Sequence, residues 1–264
     1  MSKSDTRIEE AAGCLLNAHR TRRLIETLPF MLDSVEQGYA IQRLMGEQSG
    51  PRSGWKVALD ATGKTIYAPL YDKLSYPSPA QLNRHNFNRF LLECELAIAF
   101  IEPLPPRSRP YEPHEIQAAA GKIHAAMEII DTRFTAWPNI DPLWLLADGL
   151  SHGCFILGEG VAISDPGMLE HADYQLTIGG LTAQQEQQMQ RAQQVQRVQR
   201  AHPQPDPWAT LTQLANLLCL RGEGLMAGDV VTTGTFSGAN PLERGQQAAV
   251  VFAGVGSCSV VLEE

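Results

Sequence analysis

The run Glu93-Cys94-Glu95-Leu96-Ala97-Ile98-Ala99-Phe100-Ile101 is apolar except for its two glutamates, and its length is that of a buried strand. Side chains alternate along a strand, so Glu93 and Glu95 share one face. A carboxylate held in hydrocarbon is costly, and two side by side repel, unless a cation or a proton compensates. Glu128 has a similar setting in Ala125-Ala126-Met127-Glu128-Ile129-Ile130. Three inward carboxylates on apolar strands point to a hard divalent cation, Mg²⁺ or Mn²⁺, with coordination positions left for a substrate. The competing reading puts each glutamate on the solvent face of a one-sided antiparallel strand. The pattern alone leaves both open.

A chain of 264 residues holds one large domain, here read as a helical N-terminal cap subdomain over 1–50 and a β-rich catalytic domain over 51–264. A formal net charge of -8 leaves no basic stripe to neutralise phosphates, which excludes a nucleic-acid partner. An anionic substrate stays open, because a bound metal inverts the local field. Cys14, Cys94, Cys154, Cys219 and Cys258 are scattered without CxxC spacing, which fits neither a disulfide framework nor a zinc site. A reducing compartment follows, and no stretch approaches the ~18 apolar residues of a membrane span. The expectation is a cytoplasmic protein with no membrane partner.

Residues 6–26 read as a helix. Ser34 and Gln37 suggest a capping box for a second helix over 35–48, with Val35, Tyr39 and Leu44 facing inward. Gly50-Pro51-Arg52-Ser53-Gly54 breaks the chain, and β character follows, with strands at 55–59, 93–101, 126–131, 153–157, 174–178, 229–234, 247–253 and 256–262. Gly179-Gly180 fits a turn between short strands. Helices are expected over 113–124 and over 207–220, the latter with Asp206 as N-cap and Pro207 at its first position. The Gln/Arg-rich stretch within 184–205 is polar nearly all round and reads as a protruding polar helix outside the core. Many strands with few helices give an α+β class, rich in β.

Other residues carry weaker signals. Lys56 stands between apolar neighbours in Gly54-Trp55-Lys56-Val57-Ala58 and either meets an anion or snorkels from a strand edge. Asp72 follows a possible turn at Ala68-Pro69 and reads by itself as a surface aspartate. Asp148-Gly149-Leu150-Ser151 precedes an apolar strand as a short loop. Thr235 and Ser237 lie in a Gly/Ser/Thr loop whose hydroxyls and N–H groups suit a carboxylate, or form a plain turn. The seven histidines show no metal-ligand spacing and read mostly as surface residues.

The order Gly54-Trp55-Lys56, Leu70-Tyr71-Asp72, Glu93-x-Glu95, Met127-Glu128-Ile129-Ile130-Asp131-x-Arg133 resembles the fumarylacetoacetate hydrolase superfamily. With Glu128 as the third acidic position, it is more similar to the 2-keto-4-pentenoate hydratase and 4-oxalocrotonate decarboxylase branch. Leu225-x-Ala227-Gly228-Asp229-Val230-Val231-x-Thr233-Gly234-Thr235 and Gly254-Val255-Gly256-Ser257 extend the likeness to nearly the whole chain. The resemblance implies a mixed-sheet roll or barrel-like core, with Mg²⁺ or Mn²⁺ on Glu93, Glu95 and Glu128. It implies a small anionic 2-oxo or 2-hydroxydienoate substrate, with a homo-oligomer expected. Lys56 would add positive charge at the substrate oxygens, Asp72 would move the proton, and Ser151, Thr235 and Ser237 would bind substrate. The implied activity is a lyase hydrating a 2-hydroxy-2,4-dienoate to a 4-hydroxy-2-oxo acid in aromatic-compound catabolism. A decarboxylase or an acylpyruvate-type hydrolase on the same site is the alternative. The branch has Asp-Asn-Ala-Ser where this chain has Asp148-Gly149-Leu150-Ser151, and Asp206-Pro207 takes the place of Asn-Pro. With the Gln/Arg segment, these departures motivate a further alternative, a catalytically weak binding paralogue.

Overall fold

The computed structural model describes residues 3–180 and 194–263. Strands β1 (Arg52–Leu59), β2 (Thr65–Tyr71), β3 (Ser75–Pro77), β4 (Ala80–Asn83), β5 (Leu91–Phe100), β6 (Ala120–Ile130) and β7 (His152–Ala162) are followed by β8 (His171–Gly180), β9 (Gln194–Ala201), β10 (Val230–Thr235), β11 (Asn240–Pro241), β12 (Gln246–Phe252) and β13 (Gly256–Glu263). Helices are α1 (Lys3–Thr21), α2 (Val35–Glu47), α3 (Pro113–Ala119), α4 (Pro142–Ala147), α5 (Gly167–Glu170) and α6 (Pro207–Leu220). One mixed sheet runs β2-β1-β10-β5-β6-β7-β3, with β11 also on β5, and a second runs β4-β13-β12-β8-β9.

The first sheet curls into a half-barrel, bringing Ser75 of β3 to Ser53 of β1, hydroxyl to hydroxyl at 3.0 Å. Its convex face carries Leu92, Cys94, Leu96, Ile98, Met127, Ile129 and Ile156, which share the main core with Val250, Phe252, Cys258 and Val260 of the second sheet. The contact is close: a Cβ at Gly158 would stand 2.2 Å from the Ser257 carbonyl, so only glycine fits there. The concave face holds a separate small cluster of Leu70, Ala97, Ala126 and Phe155. Helices α1, α2 and α4 close over one end around Leu15, Ile41, Met45, Phe134 and Trp144.

The expected strands all form, and α6 begins as expected, with the Asp206 carboxylate accepting from Ala209 N at 2.8 Å. Several expectations are corrected. Ser34 does accept from Gln37 N, but the Gln37 side chain accepts from Asp33 N, one residue before the position a capping box requires. The inward stripe of α2 is Gly38, Tyr39, Ile41, Gln42 and Met45, while Val35 is 40% exposed. The helix expected over 113–124 stops at Ala119, because pairing of β6 with β5 overrides the helical spacing of Ile116, Ala120 and Ile123. Gly179 and Gly180 are not a turn; they extend β8 opposite Gln247 and Gln246.

For the polar segment over 184–205, residues 184–193 lie outside the described residues. Residues 194–201 are not helical. They form β9, which pairs antiparallel with β8 from Gln194↔Ile178 to Ala201↔His171. A sheet edge offers unpaired N–H and C=O groups, and a polar segment satisfies them without apolar surface of its own. The chain then turns inward, burying His202 and Gln204. His202 Nδ1 accepts from Gln204 N at 3.0 Å, so Nε2–H donates to Thr233 Oγ1 at 2.7 Å.

Burial holds His202 down at about 4, against 6.5 ordinarily. The folded state therefore favours neutral imidazole, and protonation favours unfolding. The stability in question is complete above pH ~6.5 and falls by up to ~3 kcal/mol as the pH drops towards 4. Urea unfolding across this range should show an acid limb that flattens in His202→Gln; an unchanged limb would assign it to other groups.

Candidate metal centre

Glu93 and Glu128 are direct partners in the β5–β6 ladder, and Glu95 lies two residues on, facing the same way. One carboxylate oxygen from each lies within 4.8 Å of the others. Glu95 is 2% exposed and Glu128 fully buried. Lys56 reaches them across β10, through Lys56↔Thr232 and Thr232↔Ala97. Its ammonium donates to Glu128 Oε1 at 2.5 Å and to the Leu150 carbonyl at 3.2 Å. His152 Nδ1 lies 2.9 Å from the same Glu128 oxygen and, facing a carboxylate, donates to it. Glu95 Oε2, Glu128 Oε2, Ser151 Oγ, His152 Nε2 and Thr232 Oγ1 are buried with no hydrogen-bond partner among the described residues.

Burial, reinforced by the charges of Glu128 and Glu93, pushes Glu95 well above the ordinary carboxylate range. Glu93 rises to about 7, again through burial and then through Glu128. Burial also penalises the Glu128 charge, but the Lys56 ammonium and the His152 bond outweigh it and hold Glu128 below its ordinary value. Three carboxylates thus face one ammonium, with carboxylate oxygens left over. A hard divalent cation supplies the missing charge and takes oxygen donors of this kind, so the residues present fit Mg²⁺ or Mn²⁺.

The loop from Asp148 to Ser151 aims the remaining groups. Arg133 and Asp148, both fully buried, form a two-pronged ion pair at 2.6 and 2.7 Å, and Arg133 also donates to the His152 carbonyl at 2.9 Å. Leu150 and Ser151 both take φ 58°, a left-handed conformation costly for side-chain-bearing residues. That turn delivers the Leu150 carbonyl to Lys56. Arg133→Met should cost about 3–5 kcal/mol in urea unfolding, because it strands a buried carboxylate. The double variant Arg133→Met, Asp148→Leu should recover most of the loss. A single variant of native stability would remove the pair from this role.

The other residues singled out in the sequence are placed as follows. Ser151 is buried in the loop beside Leu150 and His152. Thr235 pairs with Glu95 across the ladder. The Ser237 hydroxyl is engaged in the chain itself, accepting from Cys94 N at 3.0 Å and donating to the Gly238 carbonyl at 2.8 Å. Asp72 is exposed on a short 3-10 turn, Asp72–Leu74, and is not among the side chains gathered at Glu128. His152 is not the surface residue that the sequence suggests for most of the histidines: it is buried, and simple alternation would put it with Cys154 and Ile156 on the core face. A register shift between Ile129 and Ile130 turns it to the side of Glu128 instead. His152 also lines a cleft of about 410 Å³ with His19, Met45, Pro69, Tyr71, Leu74, Ala147 and Asp148.

No known protein family's profile matches the sequence. The chain is 25% identical over 261 residues to 4-oxalocrotonate decarboxylase of Pseudomonas putida, covering 95% of this chain and 93% of that one. It is 25% identical over 223 residues to 2-hydroxyhexa-2,4-dienoate hydratase of Comamonas testosteroni, covering 84% and 80%. Among solved structures, 4-oxalocrotonate decarboxylase from Pseudomonas putida G7, complexed with magnesium and adipate, superposes with TM-score 0.79 at 21% identity over 99% of both chains. Fumarylpyruvate hydrolase from Pseudomonas aeruginosa, in complex with Mn²⁺ and pyruvate, gives TM-score 0.56 at 16% identity over 81% of this chain and 91% of that one. The curled mixed sheet is therefore the fold of the fumarylacetoacetate hydrolase type. Along the sequence, the relatives it is similar to carry the names 4-oxalocrotonate decarboxylase and 2-hydroxyhexa-2,4-dienoate hydratase.

Proposed function

We propose that this protein is a divalent-metal-dependent lyase that adds water to a 2-hydroxy-2,4-dienoate, giving a 4-hydroxy-2-oxo acid. Glu93, Glu95 and Glu128 would hold the Mg²⁺ or Mn²⁺, which when bound supplies Lewis acidity at the oxygens of a 2-oxo acid. Lys56 would place its ammonium group beside those oxygens, in a dry setting where a fixed charge acts strongly. His152 fixes the orientation of Glu128, as a hydrogen-bonded neighbour of a metal ligand does. Ser151 and Thr235 offer hydroxyls to the substrate; Ser237, already bonded to Cys94 and Gly238, would hold the loop that carries Thr235. Asp72 is exposed between Tyr71 and Leu74 of the cleft wall and is not itself in the lining; to exchange a proton with the far carbon its carboxylate would have to turn in between them.

The observation that carries hydration over decarboxylation is the character of that cleft. Its lining contains no lysine or arginine. His19, a cation only when protonated, is held at about 2 by burial and by the neighbouring Arg133 and Arg22. The uncharged end of a dienoate suits this inner wall, whereas the second carboxylate of 4-oxalocrotonate would have to reach Arg20, Arg22 and Lys73 of the adjoining outer cavity, which shares His19, Met45 and Leu74 with this one. Decarboxylation is the second reading, supported by the relatives that bear that name. The test is product identification by NMR, with Mg²⁺ or Mn²⁺ present. Conversion of 2-hydroxypenta-2,4-dienoate to 4-hydroxy-2-oxopentanoate, with 4-oxalocrotonate untouched, is expected. Release of CO₂ from 4-oxalocrotonate would replace the first reading with the second. Turnover of neither by metal-loaded protein would leave a binding paralogue.

A further inference from the structure

A second cleft, of about 700 Å³, adjoins the first along Gln42, Pro69 and Tyr71 and runs over the outward face of β1 and β2. In the β1–β2 ladder Lys56 pairs with Ala68 and points into the barrel, so Trp55 and Tyr67, one residue away on each strand, point outward. Tyr39 of α2 stacks on Tyr67 with ring centroids 4.6 Å apart, and Trp55 meets Tyr67 edge-on at 5.3 Å. Two guanidinium groups cover this aromatic cluster: Arg52 lies 4.4 Å over Trp55, and Arg221 lies 4.1 Å over Tyr39.

Two donors buried in the wall of the cleft have no acceptor among the described residues. Trp55 and Tyr67 are 4% and 2% exposed, yet the indole N–H has no partner and the Tyr67 hydroxyl no acceptor for its proton among the described residues. Arg52 is neutralised by Asp229 at 2.6 Å. Arg221 donates to the Leu217 carbonyl at 3.4 Å and to the Tyr67 hydroxyl oxygen, and forms no ion pair among the described residues. Glu47 and Glu223 also line the cleft, but Glu47 is exposed and Glu223 half-exposed, so both are hydrated. An indole N–H, a phenol O–H and a guanidinium therefore belong to one aromatic-rich stretch of the cleft lining. Buried donors of this kind are almost always satisfied; any oxygen acceptor serves the indole and the phenol, and the guanidinium favours one that carries negative charge. The flat apolar walls call for an organic body on that acceptor rather than an inorganic anion.

We propose that this outer cleft is a second binding site, separate from the metal centre, for a small planar organic carboxylate held by Trp55, Tyr67 and Arg221. Sorbate, hexa-2,4-dienoate, is a suitable probe, because it is planar and lacks the 2-oxygen needed to chelate a metal. Calorimetric titration of sorbate into EDTA-treated protein should show saturable binding to one site, unchanged in Glu95→Gln. Arg221→Met should weaken it by about tenfold or more, and Tyr67→Phe, which removes one hydroxyl and keeps the ring packing, by a few-fold. Inorganic phosphate at equal concentration should not compete. The proposal is overturned by absence of saturable binding up to ~10 mM, by loss of binding in Glu95→Gln, by equal affinity in Tyr67→Phe and Arg221→Met, or by full competition from phosphate.

Discussion

Glu95→Gln and Glu128→Gln should each weaken Mn²⁺ binding by at least ~100-fold, since each removes a proposed ligand where even a hydrogen-bonded neighbour is worth 10–100-fold. Their effects on the metal-free protein should differ. Glu95 is fully desolvated among other carboxylates and pushed well up, so an amide of the same shape relieves repulsion. Metal-free Glu95→Gln should melt at or above the temperature of the unaltered protein. Glu128 is the acceptor for both Lys56 and His152, and its loss leaves the Lys56 ammonium in a dry site. Metal-free Glu128→Gln should melt lower. Calorimetric metal titration beside thermal melts separates the two, and unchanged Mn²⁺ affinity in both variants would refute the three-carboxylate centre.

Lys56→Met should lower turnover by orders of magnitude and also destabilise the metal-free protein by about 3–5 kcal/mol, because it uncovers a buried carboxylate. The sequence shows a lysine among apolar residues; the structure shows that its partner is Glu128, at 2.5 Å. Two outcomes follow from that partnership. Adding Mg²⁺ should restore much of the stability of Lys56→Met, since the cation takes over the charge on Glu128. The double variant Lys56→Met, Glu128→Gln should be more stable than Lys56→Met alone, and the cycle should give a coupling well outside additivity. Additive effects would show that the ion pair is not what holds the two side chains together.

The sequence by itself determined the strands, because their signals are local. The apolar runs around Glu93, Glu128, Phe155 and Val250 have strand length and strand composition, and each forms a strand. The common face of Glu93 and Glu95 was legible for the same reason, period-two alternation; whether that face points inward the pattern left open, and register with Glu128 and burial in the curled sheet decided it. The cap of α6 was equally legible, since Asp206 and Pro207 act within one helical turn.

Only the tertiary structure decided the rest. Segment 113–124 has helical spacing, but from Ala120 onward β5 offers a ladder, and pairing outweighs propensity. Residues 194–201 carry no apolar pattern, yet the free edge of β8 makes them a strand through backbone groups common to every sequence. His152 reaches Glu128 through a register shift that alternation cannot reveal, and the Arg133–Asp148 pair that steadies its loop joins positions 15 apart in the chain. The unpaired donors of Trp55 and Tyr67 are likewise a property of packing, set by what α2 and α6 lay against the barrel wall. Local sequence specifies which way a side chain points along its own strand. What stands opposite it depends on register, curl and long-range contact, and these exist only once the chain has folded.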